Sequence, residues 1–330
     1  MNWEALGQAL RSAHPGYLLG VVVATVLTYL GRAWRWGYLL APLGRVSFPR
    51  LFSATCVGFM SGLAVPRAGE VVRPYLVARR HGLSTSAAFA TIILERLVDL
   101  ITMLFLFSLY LYALPAPPAQ SHGPLLAFLK GAGVVTGAAA LTITLVLLAF
   151  HVHADPAMAV IDRILSRFPA WLAAPVSLAL RAFSEGLAVL QAPAGHLAAI
   201  AAQSVLIWLA IALGIYWNNR AFGLDLPFHS AFLIIAFLTV GVAIPTPGMV
   251  GGFHQFYLLA LTQAFGVDKA TAAAAGIASH ALSNLPVLVL GLVYLGPEGL
   301  TFGKVAEMTS EEPLPAGSLE GGRGRPRLAE

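Results

Sequence analysis

Two stretches of similar sequence decide the fold of this chain: GLAVPRAGE at residues 62–70 and GVAIPTPGM at residues 241–249. Each is an apolar run that ends at a proline and glycine break. The similarity extends upstream, where Gly44 corresponds to Gly223. A broken apolar segment that recurs in both halves of a membrane chain indicates a transport site between two repeats. We therefore predict two structural repeats, each containing a broken helix.

The composition is that of a membrane protein. Of the 330 residues, 58% are hydrophobic and only 11% are charged, whereas a soluble domain carries about 25% charged residues. We therefore predict an all-α polytopic membrane protein, without room for a separate soluble catalytic module. The formal net charge of +5 indicates positively charged cytoplasmic loops and anionic lipid rather than nucleic acid.

The sequence offers little for a metal or a cofactor. A single cysteine, Cys56, excludes an intrachain disulfide and a multi-cysteine metal site. No nucleotide-binding loop, dinucleotide fingerprint or HExxH motif is present, so we expect no cofactor and no primary ATP-driven pumping.

The chain divides into three parts, with the membrane domain in the middle. We predict an N-terminal segment at 1–16, a transmembrane domain at 17–297 and a disordered tail at 298–330. Within the membrane domain, repeat 1 covers about 17–113 and repeat 2 about 196–296. Residues 125–193 supply one further span and an amphipathic interfacial segment.

The distribution of charge predicts the topology. The loops at 31–50 and 66–82 are both basic, so both belong in the cytoplasm. The apolar run between them should then be a re-entrant hairpin that turns at Pro66. The 114–124 loop has no Lys or Arg and belongs outside, and the second hairpin should enter from that side. These assignments give inverted repeats, about five full spans and two re-entrant hairpins. The alternative is that the broken segments cross fully, for seven or eight spans.

The helices that follow the two breaks also correspond. Gly82 and Gly266 precede equivalent helices, and Glu95-Arg96-x-x-Asp99 falls on Ser279-His280-x-x-Ser283. At the end of the first span, Trp34-Arg35-Trp36 is typical of an interfacial aromatic anchor.

The strongest candidate site is the charged group Glu95, Arg96 and Asp99. Glu95 and Asp99 are four residues apart and share a helix face. Charges at membrane depth cost several kcal/mol, so they must face a cavity or a partner. Two interpretations stay open: a self-neutralising structural cluster, or a polar cavity that holds a charged head group.

The first break adds Arg67, Glu70 and Arg73. Together with Arg96, the two arginines could surround a phosphate, because guanidinium groups match phosphate geometry. A half-helix that starts after the break would add free backbone N–H groups. An ordinary basic cytoplasmic loop is the alternative.

The second break supplies mainly backbone and neutral polar groups. Its residues are Pro245, Pro247, Gly248, Gly251 and Gly252. Exposed backbone at membrane depth must be satisfied by protein or by a water-filled cavity. The polar candidates nearby are His254, His280 and Asn284, although a lone buried histidine more often packs than binds.

Four motifs together resemble a known family. They are Arg35-Trp36, Pro66-Arg67-x-Gly69-Glu70-x-x-Arg73, Glu95-Arg96-x-x-Asp99 and Pro245-x-Pro247-Gly248-x-x-Gly251-Gly252. The resemblance covers roughly residues 15–296 and is to the flippase-like membrane family defined by the transmembrane region of lysylphosphatidylglycerol synthases. The chain departs from the family pattern at His254, where an acidic residue often stands, and it contains no aminoacyltransferase domain.

The resemblance implies a lipid or glycolipid translocase of the cell inner membrane, or an accessory protein to one. Its expected partners are membrane lipids, anionic or polyprenyl-linked, and a synthase or glycosyltransferase is a candidate protein partner. A membrane-embedded enzyme is the alternative, with Glu95 or Asp99 as the base and a lipid-linked phosphate, sugar or aminoacyl lipid as substrate. A scaffold for a separate synthase is the third hypothesis.

Overall fold

The computed structural model describes residues 3–66, 68–113, 187–244 and 246–298, together with isolated positions between 131 and 167. Within these ranges every regular element is a helix. The predictions for most of 114–186, for the tail beyond 298, and for Arg67 and Pro245 lie outside the described residues.

The described helices form two groups of four, preceded by a short amphipathic helix. The first part of the chain contains α1 (Trp3–Ser12), α2 (Pro15–Leu40), α3 (Phe48–Ala64), α4 (Ala68–His81) and α5 (Thr85–Ala113). The second part contains α6 (Ala194–Ala221), α7 (Ser230–Ala243), α8 (Gly252–Leu259) and α9 (Lys269–Leu295). A 3-10 turn at Pro247–Met249 precedes α8, and a π-helical turn at Ala260–Ala264 follows it.

Three of the described helices are long and apolar enough to cross a membrane, namely α2, α6 and α9. The first belongs to the part of the chain predicted as repeat 1, and the other two to the part predicted as repeat 2. At the start of α2, Pro15 occupies the first helical turn, where its missing N–H costs nothing. The His14 ring accepts a hydrogen bond from the backbone N–H of Gly16 and caps the helix. Pro15 and the His14 cap thus determine where α2 begins.

The two groups of helices have the same order and packing. Each consists of a long helix, a broken hairpin and a second long helix. The first long helices, α2 and α6, pack along each other, while α3 contacts α9 and α7 contacts α5. The α2–α6 pair is antiparallel, because Gly20 lies beside Trp217 and Arg35 bonds Ser204.

Close glycine contacts hold each hairpin together. The backbone of Gly58 in α3 meets Gly69 in α4, and the backbone of Gly241 in α7 meets Gly252 in α8. A Cβ atom on Gly241 would lie 2.6 Å from the carbonyl oxygen of Gly252. No side chain other than hydrogen allows the two helices of a hairpin to approach this closely.

This packing corrects the alignment expected within the hairpins. The similarity of the two sequences pairs Gly62 with Gly241, because both precede a proline by four residues. In the structure, however, the glycine of α3 that contacts α4 is Gly58. Each helix ends two residues before its first proline, since proline disfavours helix in the preceding residue. As a result, α3 continues about one turn further past the crossing than α7 does.

Downstream of the breaks, the two halves begin their next long helices at corresponding positions. Gly82 and Gly266 adopt left-handed conformations with φ of 65° and 67°. The helices that follow begin at Thr85 and Lys269. Both pairs are separated by the same interval, 269 − 85 = 266 − 82 = 184 residues. Position 95 therefore matches position 279, as the sequence indicates.

Replacing Gly252 with alanine should destabilise the second hairpin, because the added Cβ would overlap the Gly241 carbonyl group. We expect a loss of about 1–3 kcal/mol, the range for overpacking, measured as a fall in the thermal transition of the detergent-solubilised protein. The matched control is Gly195→Ala, since a Cβ at Gly195 meets nothing within 4 Å. An equal effect of the two substitutions would contradict the crossing.

A second prediction concerns Asp268, which caps α9. Its carboxylate accepts hydrogen bonds from the backbone N–H groups of Ala270 and Thr271, and the hydrogen bonds with Thr271 lower the pKa of Asp268. A depressed folded-state pKa means that the stabilisation is present above the unfolded pKa and is lost as the pH falls. Asp268→Ala should cost about 1 kcal/mol at neutral pH. Asp268→Asn should keep the cap and remove this pH dependence, and thermal unfolding between pH 3 and pH 7 would measure both.

Candidate functional site

The charged residues predicted on α5 form the centre of a buried ion cluster. Glu95 is fully buried. Arg73 of α4 donates two hydrogen bonds to its carboxylate, from Nη1 to Oε1 at 3.1 Å and from Nη2 to Oε2 at 3.2 Å. Arg96 also pairs with Glu95. The helix spacing places Asp99 on the same face, one turn along, so both carboxylates point into the protein.

Asp99 joins three further side chains from α2 and α6. Arg32 donates from Nη1 to Oδ2 at 2.9 Å, and Nη1 of Arg35 lies 2.7 Å from Oδ1. The indole nitrogen of Trp208, on α6, donates to Oδ1 at 3.2 Å. Arg35 also donates to the hydroxyl of Ser204 at 2.8 Å. The cluster therefore ties the first half of the chain to the second.

The cluster carries an excess of positive charge. Four guanidinium groups, on Arg32, Arg35, Arg73 and Arg96, surround two carboxylates, which leaves a formal charge of +2. Within the described part of the chain, the Nε atoms of Arg73 and Arg96 are buried and have no hydrogen-bond partner. An unpaired buried N–H is unfavourable, and an anion next to it would relieve the penalty. The group is therefore a structural ion cluster, and it also keeps hydrogen-bond donors that have no partner among the described residues.

Two of the residues expected at the membrane interface belong to this cluster instead. Arg35 and Trp36 are fully buried, and only Trp34 is exposed. The Trp36 indole donates to Thr91 at 3.0 Å, and the guanidinium carbon of Arg73 lies 4.6 Å from a Trp36 ring centroid. The prediction of an interfacial anchor was wrong for these two residues. Successive residues of a helix point in different directions, and Arg35 and Trp36 point toward α5.

A cavity lies where the two breaks meet. This inter-hairpin cavity has a volume of about 340 Å³, near the lower end of the range for ligand sites. Glu70, Arg73 and Arg96 line it from the first half, and Thr246 and Met249 line it from the second. The Arg96 side chain is 37% exposed, the largest exposure among the four arginines of the cluster. The structure thus brings three of the predicted residues together around one space.

A second, central cavity of about 240 Å³ lies beyond a partition formed by Phe59, Val242 and Met249. These three residues line both spaces. Arg32, Ser279 and Asn284 line the central cavity only, so the two cavities share no arginine. The Phe59 ring lies between the two, with its centroid 5.6 Å from the guanidinium carbon of Arg32 and 5.1 Å from that of Arg73.

The polar residues of the second break satisfy its exposed backbone. His280 hydrogen-bonds the carbonyl oxygen of Gly248 at 2.7 Å, and its ring packs against His254, with 4.6 Å between centroids. Asn284 donates to the carbonyl oxygen of His280 at 2.8 Å. His280 is therefore held by a structural contact, while Asn284 also reaches the central cavity.

The other residues predicted at this break shape the chain. Pro247 and Gly248 form the 3-10 turn, and Gly251 turns the chain with a φ of 96° just before Gly252 makes the close contact with α7. Met249 also has a positive φ of 57°, which is uncommon for a residue with a side chain. These turns of the backbone place Met249 at the partition between the two cavities.

The second half has a neutral counterpart of the ion cluster. Under the 184-residue interval Glu95 corresponds to Ser279, while the glycine contacts of the hairpins place Phe256 at the position of Arg73, next to Tyr257. The Tyr257 hydroxyl donates to Asn219 at 2.9 Å and accepts from Asn218 at 3.0 Å. These three hydrogen-bonded residues are buried. Sequence reasoning missed Asn218, Asn219 and Tyr257, because a tyrosine or an asparagine in an apolar helix gives a weaker signal than a charge.

These features define an all-helical membrane protein with two broken hairpins around an ion-lined cavity. The family model of the lysylphosphatidylglycerol synthase TM region matches residues 1–291. The chain therefore belongs to that family, as its motifs indicate.

Two curated relatives are similar over most of this chain. The glycosyltransferase AglD of Haloferax volcanii is 26% identical over 310 residues, which cover 86% of this chain and 49% of the relative. A UPF0104 membrane protein of Methanothermobacter thermautotrophicus is 25% identical over 298 residues, which cover 86% of both. The chain thus spans about half the length of the glycosyltransferase. No solved structure matches the chain.

Neutralising one carboxylate of the cluster should destabilise the protein strongly. Glu95→Gln leaves Arg73 buried without its counter-ion, and breaking a buried pair in this way costs about 3–5 kcal/mol. Asp225→Asn is the matched control, because that carboxylate pairs with Arg220 but its side chain is 92% exposed. The control should lose less than about 1 kcal/mol. Thermal unfolding of the three purified proteins would show the ranking, and equal stabilities would refute the buried cluster.

Proposed function

We propose that the protein moves a lipid with an anionic head group across the membrane, with the head group bound in the inter-hairpin cavity. The observation that carries the proposal is the pair of arginines on the wall of this cavity, whose hydrogen-bond donors are not all used. Arg73 and Arg96 line it and keep unpaired Nε–H groups among the described residues. A phosphate accepts such charge-assisted hydrogen bonds readily. Glu70 on the same wall would bond a hydroxyl or ammonium group of the head group.

The two halves would act as an inverted-topology repeat. The common order of helices and the antiparallel packing of α2 against α6 support this arrangement. In such transporters the substrate site lies between the repeats, and one repeat rocks against the other. The breaks at the ends of α3 and α7 supply the flexible points at which such a motion would begin. The protein would then be a multi-pass protein of the inner membrane.

Reconstitution into liposomes tests the proposal. Wild-type protein should transfer a fluorescent phosphatidylglycerol between leaflets, as measured by dithionite quenching. Arg96→Ala removes a charge-assisted donor worth about 1.5–3 kcal/mol, so the rate should fall by at least about tenfold. Glu70→Gln removes a negative charge from the same wall and should raise the affinity for the anionic lipid.

Damage to the fold would weaken both variants. A slower transfer by Arg96→Ala together with a higher lipid affinity of Glu70→Gln therefore indicates a binding role. Arg79→Ala is the matched control, because Arg79 is an exposed arginine of α4 whose guanidinium contacts Tyr75. It should transfer lipid at the wild-type rate. The proposal fails if Arg96→Ala transfers lipid as fast as Arg79→Ala does.

The similarity to a glycosyltransferase supports a second candidate, a membrane subunit that acts on a lipid-linked sugar or phosphate. The geometry favours it less. Glu95 and Asp99 are both engaged by arginines, and a carboxylate surrounded by cations is a poor proton acceptor. Mass spectrometry of the lipids after incubation would decide between the two, since a covalent change without movement favours the enzyme.

A further inference from the structure

The segment that follows α9 is bound to both helices of the first hairpin. Although Glu298 lies beyond the end of α9, its side chain is only 4% exposed. Its carboxylate accepts a hydrogen bond from the hydroxyl of Ser53, on α3, and lies 3.1 Å from Nη1 of Arg80, on α4. Arg80 also donates to the carbonyl oxygen of Pro297 at 2.8 Å. This group of contacts, which we call the latch, joins the two halves of the chain.

The latch lies at one end of a seam along which α3 packs against α9. Within the seam, the Phe52 ring packs edge-on against Tyr294, with 5.9 Å between centroids. Further along, a Cβ on Gly291 would lie 2.5 Å from the Cβ of Met60. Only a glycine allows the two helices to approach this closely. The helices are therefore in contact from the latch as far as Met60.

The central cavity lies at the other end of the same seam. Phe59 lines this cavity from α3, and Ser283 and Asn284 line it from α9. Phe59 is adjacent to Met60 in the sequence, and Asn284 precedes Gly291 by about two helical turns. Separation of α3 from α9 would therefore extend the central cavity toward the end of the protein where α4 ends. The distribution of charge predicts that this end is cytoplasmic.

The chemistry of the latch suits a contact that opens and closes. An apolar contact at this end would resist opening, because separation would expose apolar surface to water. A carboxylate, a guanidinium group and a hydroxyl can instead exchange their mutual hydrogen bonds for hydrogen bonds with water. The Arg80 side chain is 34% exposed, so water already reaches the latch. A partly exposed ion pair of this kind contributes little stability.

We propose that the seam between α3 and α9 is a gate to the central cavity, and that Ser53, Arg80 and Glu298 hold it closed. The structure shows the closed state. The opening of the gate does not depend on what passes through it, and only its role in lipid movement rests on the proposed function. In that role, the gate controls access to the central cavity from the end of the protein that carries the latch.

The single cysteine of the chain reports on the state of the gate. Cys56 is fully buried and lies four residues from both Phe52 and Met60, so it shares the face of α3 that packs against α9. N-Ethylmaleimide should therefore label Cys56 only when the seam opens. The labelling rate is measured by mass spectrometry on the full chain in liposomes, and it should be low for the wild-type protein.

Substitutions in the latch should raise this labelling rate. Glu298→Gln keeps the size of the side chain and removes its charge. The labelling rate should rise about tenfold, the change in the open population expected for one lost charge-assisted hydrogen bond. Arg80→Gln should give a similar rise. Because the two residues form one contact, their effects should not add in the double variant, and full additivity would overturn the pairing of Arg80 with Glu298 as the latch.

Two further variants separate opening of the gate from other effects. Arg79→Gln removes a neighbouring arginine that contacts Tyr75, and it should be labelled at the wild-type rate. Gly252→Ala should weaken the second hairpin without contact with the seam, so it controls for a general loss of stability. All rates are compared below the thermal transition of every variant. Labelling of Glu298→Gln no faster than that of Arg79→Gln, or no faster than that of Gly252→Ala, would overturn the gate.

Locking the gate tests its role in lipid movement separately. In a Cys56→Ala background, Ser53→Cys and Glu298→Cys are joined by a short bifunctional thiol reagent that a reductant releases. The joined protein should transfer no lipid, and reduction should restore the transfer. Transfer by the joined protein would overturn this role of the gate. A wild-type protein that transfers no lipid would refute the proposed function alone, because the labelling of Cys56 tests the gate without lipid movement.

Discussion

The arrangement of the helices depends on two carboxylates that would be intolerable in a membrane without their arginines. Glu95 holds α4 through Arg73, and Asp99 holds α2 through Arg32 and Arg35 and reaches α6 through Trp208. Such a cluster adds little stability over an apolar core, because desolvation offsets the attraction, but the loss of one partner leaves an uncompensated charge. Its effect is therefore to fix the register: any other alignment of these four helices would leave charges unpaired in the membrane.

The same scaffold carries charge in one half and neutral groups in the other. Phe256 and Ser279 occupy the positions that correspond to Arg73 and Glu95, and the adjacent Tyr257 bonds Asn218 and Asn219 of α6. Neutral hydrogen bonds are enough to align these helices, so alignment alone does not require six charged residues. The anionic head group proposed above would give the charges of the first half, and the donors they leave unpaired, a role beyond folding.

Much of the fold could be predicted because local signals determine it. Apolar length set the spans, proline ended α3 and α7, and Gly82 and Gly266 marked equivalent helix starts. The partners of Asp99 could not be predicted in the same way, because Arg32, Arg35 and Trp208 are distant in sequence and meet it only after packing. Arg32 did carry a signal, since an arginine inside an apolar helix must have a partner, whereas Phe59 and Trp208 look like ordinary membrane residues. The predicted register of the two hairpins was wrong for a related reason. The prolines are the stronger signal in the sequence, but the contact between glycines decides where the helices cross.

Phe59 lies between two arginines that line different cavities. Its ring faces the guanidinium groups of Arg32 and Arg73, one toward each cavity. A cation–π contact is worth about 0.5–2 kcal/mol and carries no opposite charge, so the ring attracts both guanidinium groups without neutralising either. A carboxylate at this position would cancel the excess charge, and an aliphatic side chain would offer the cations no electrostatic attraction. An aromatic partition would keep both arginines in place and leave them available to the anion proposed above.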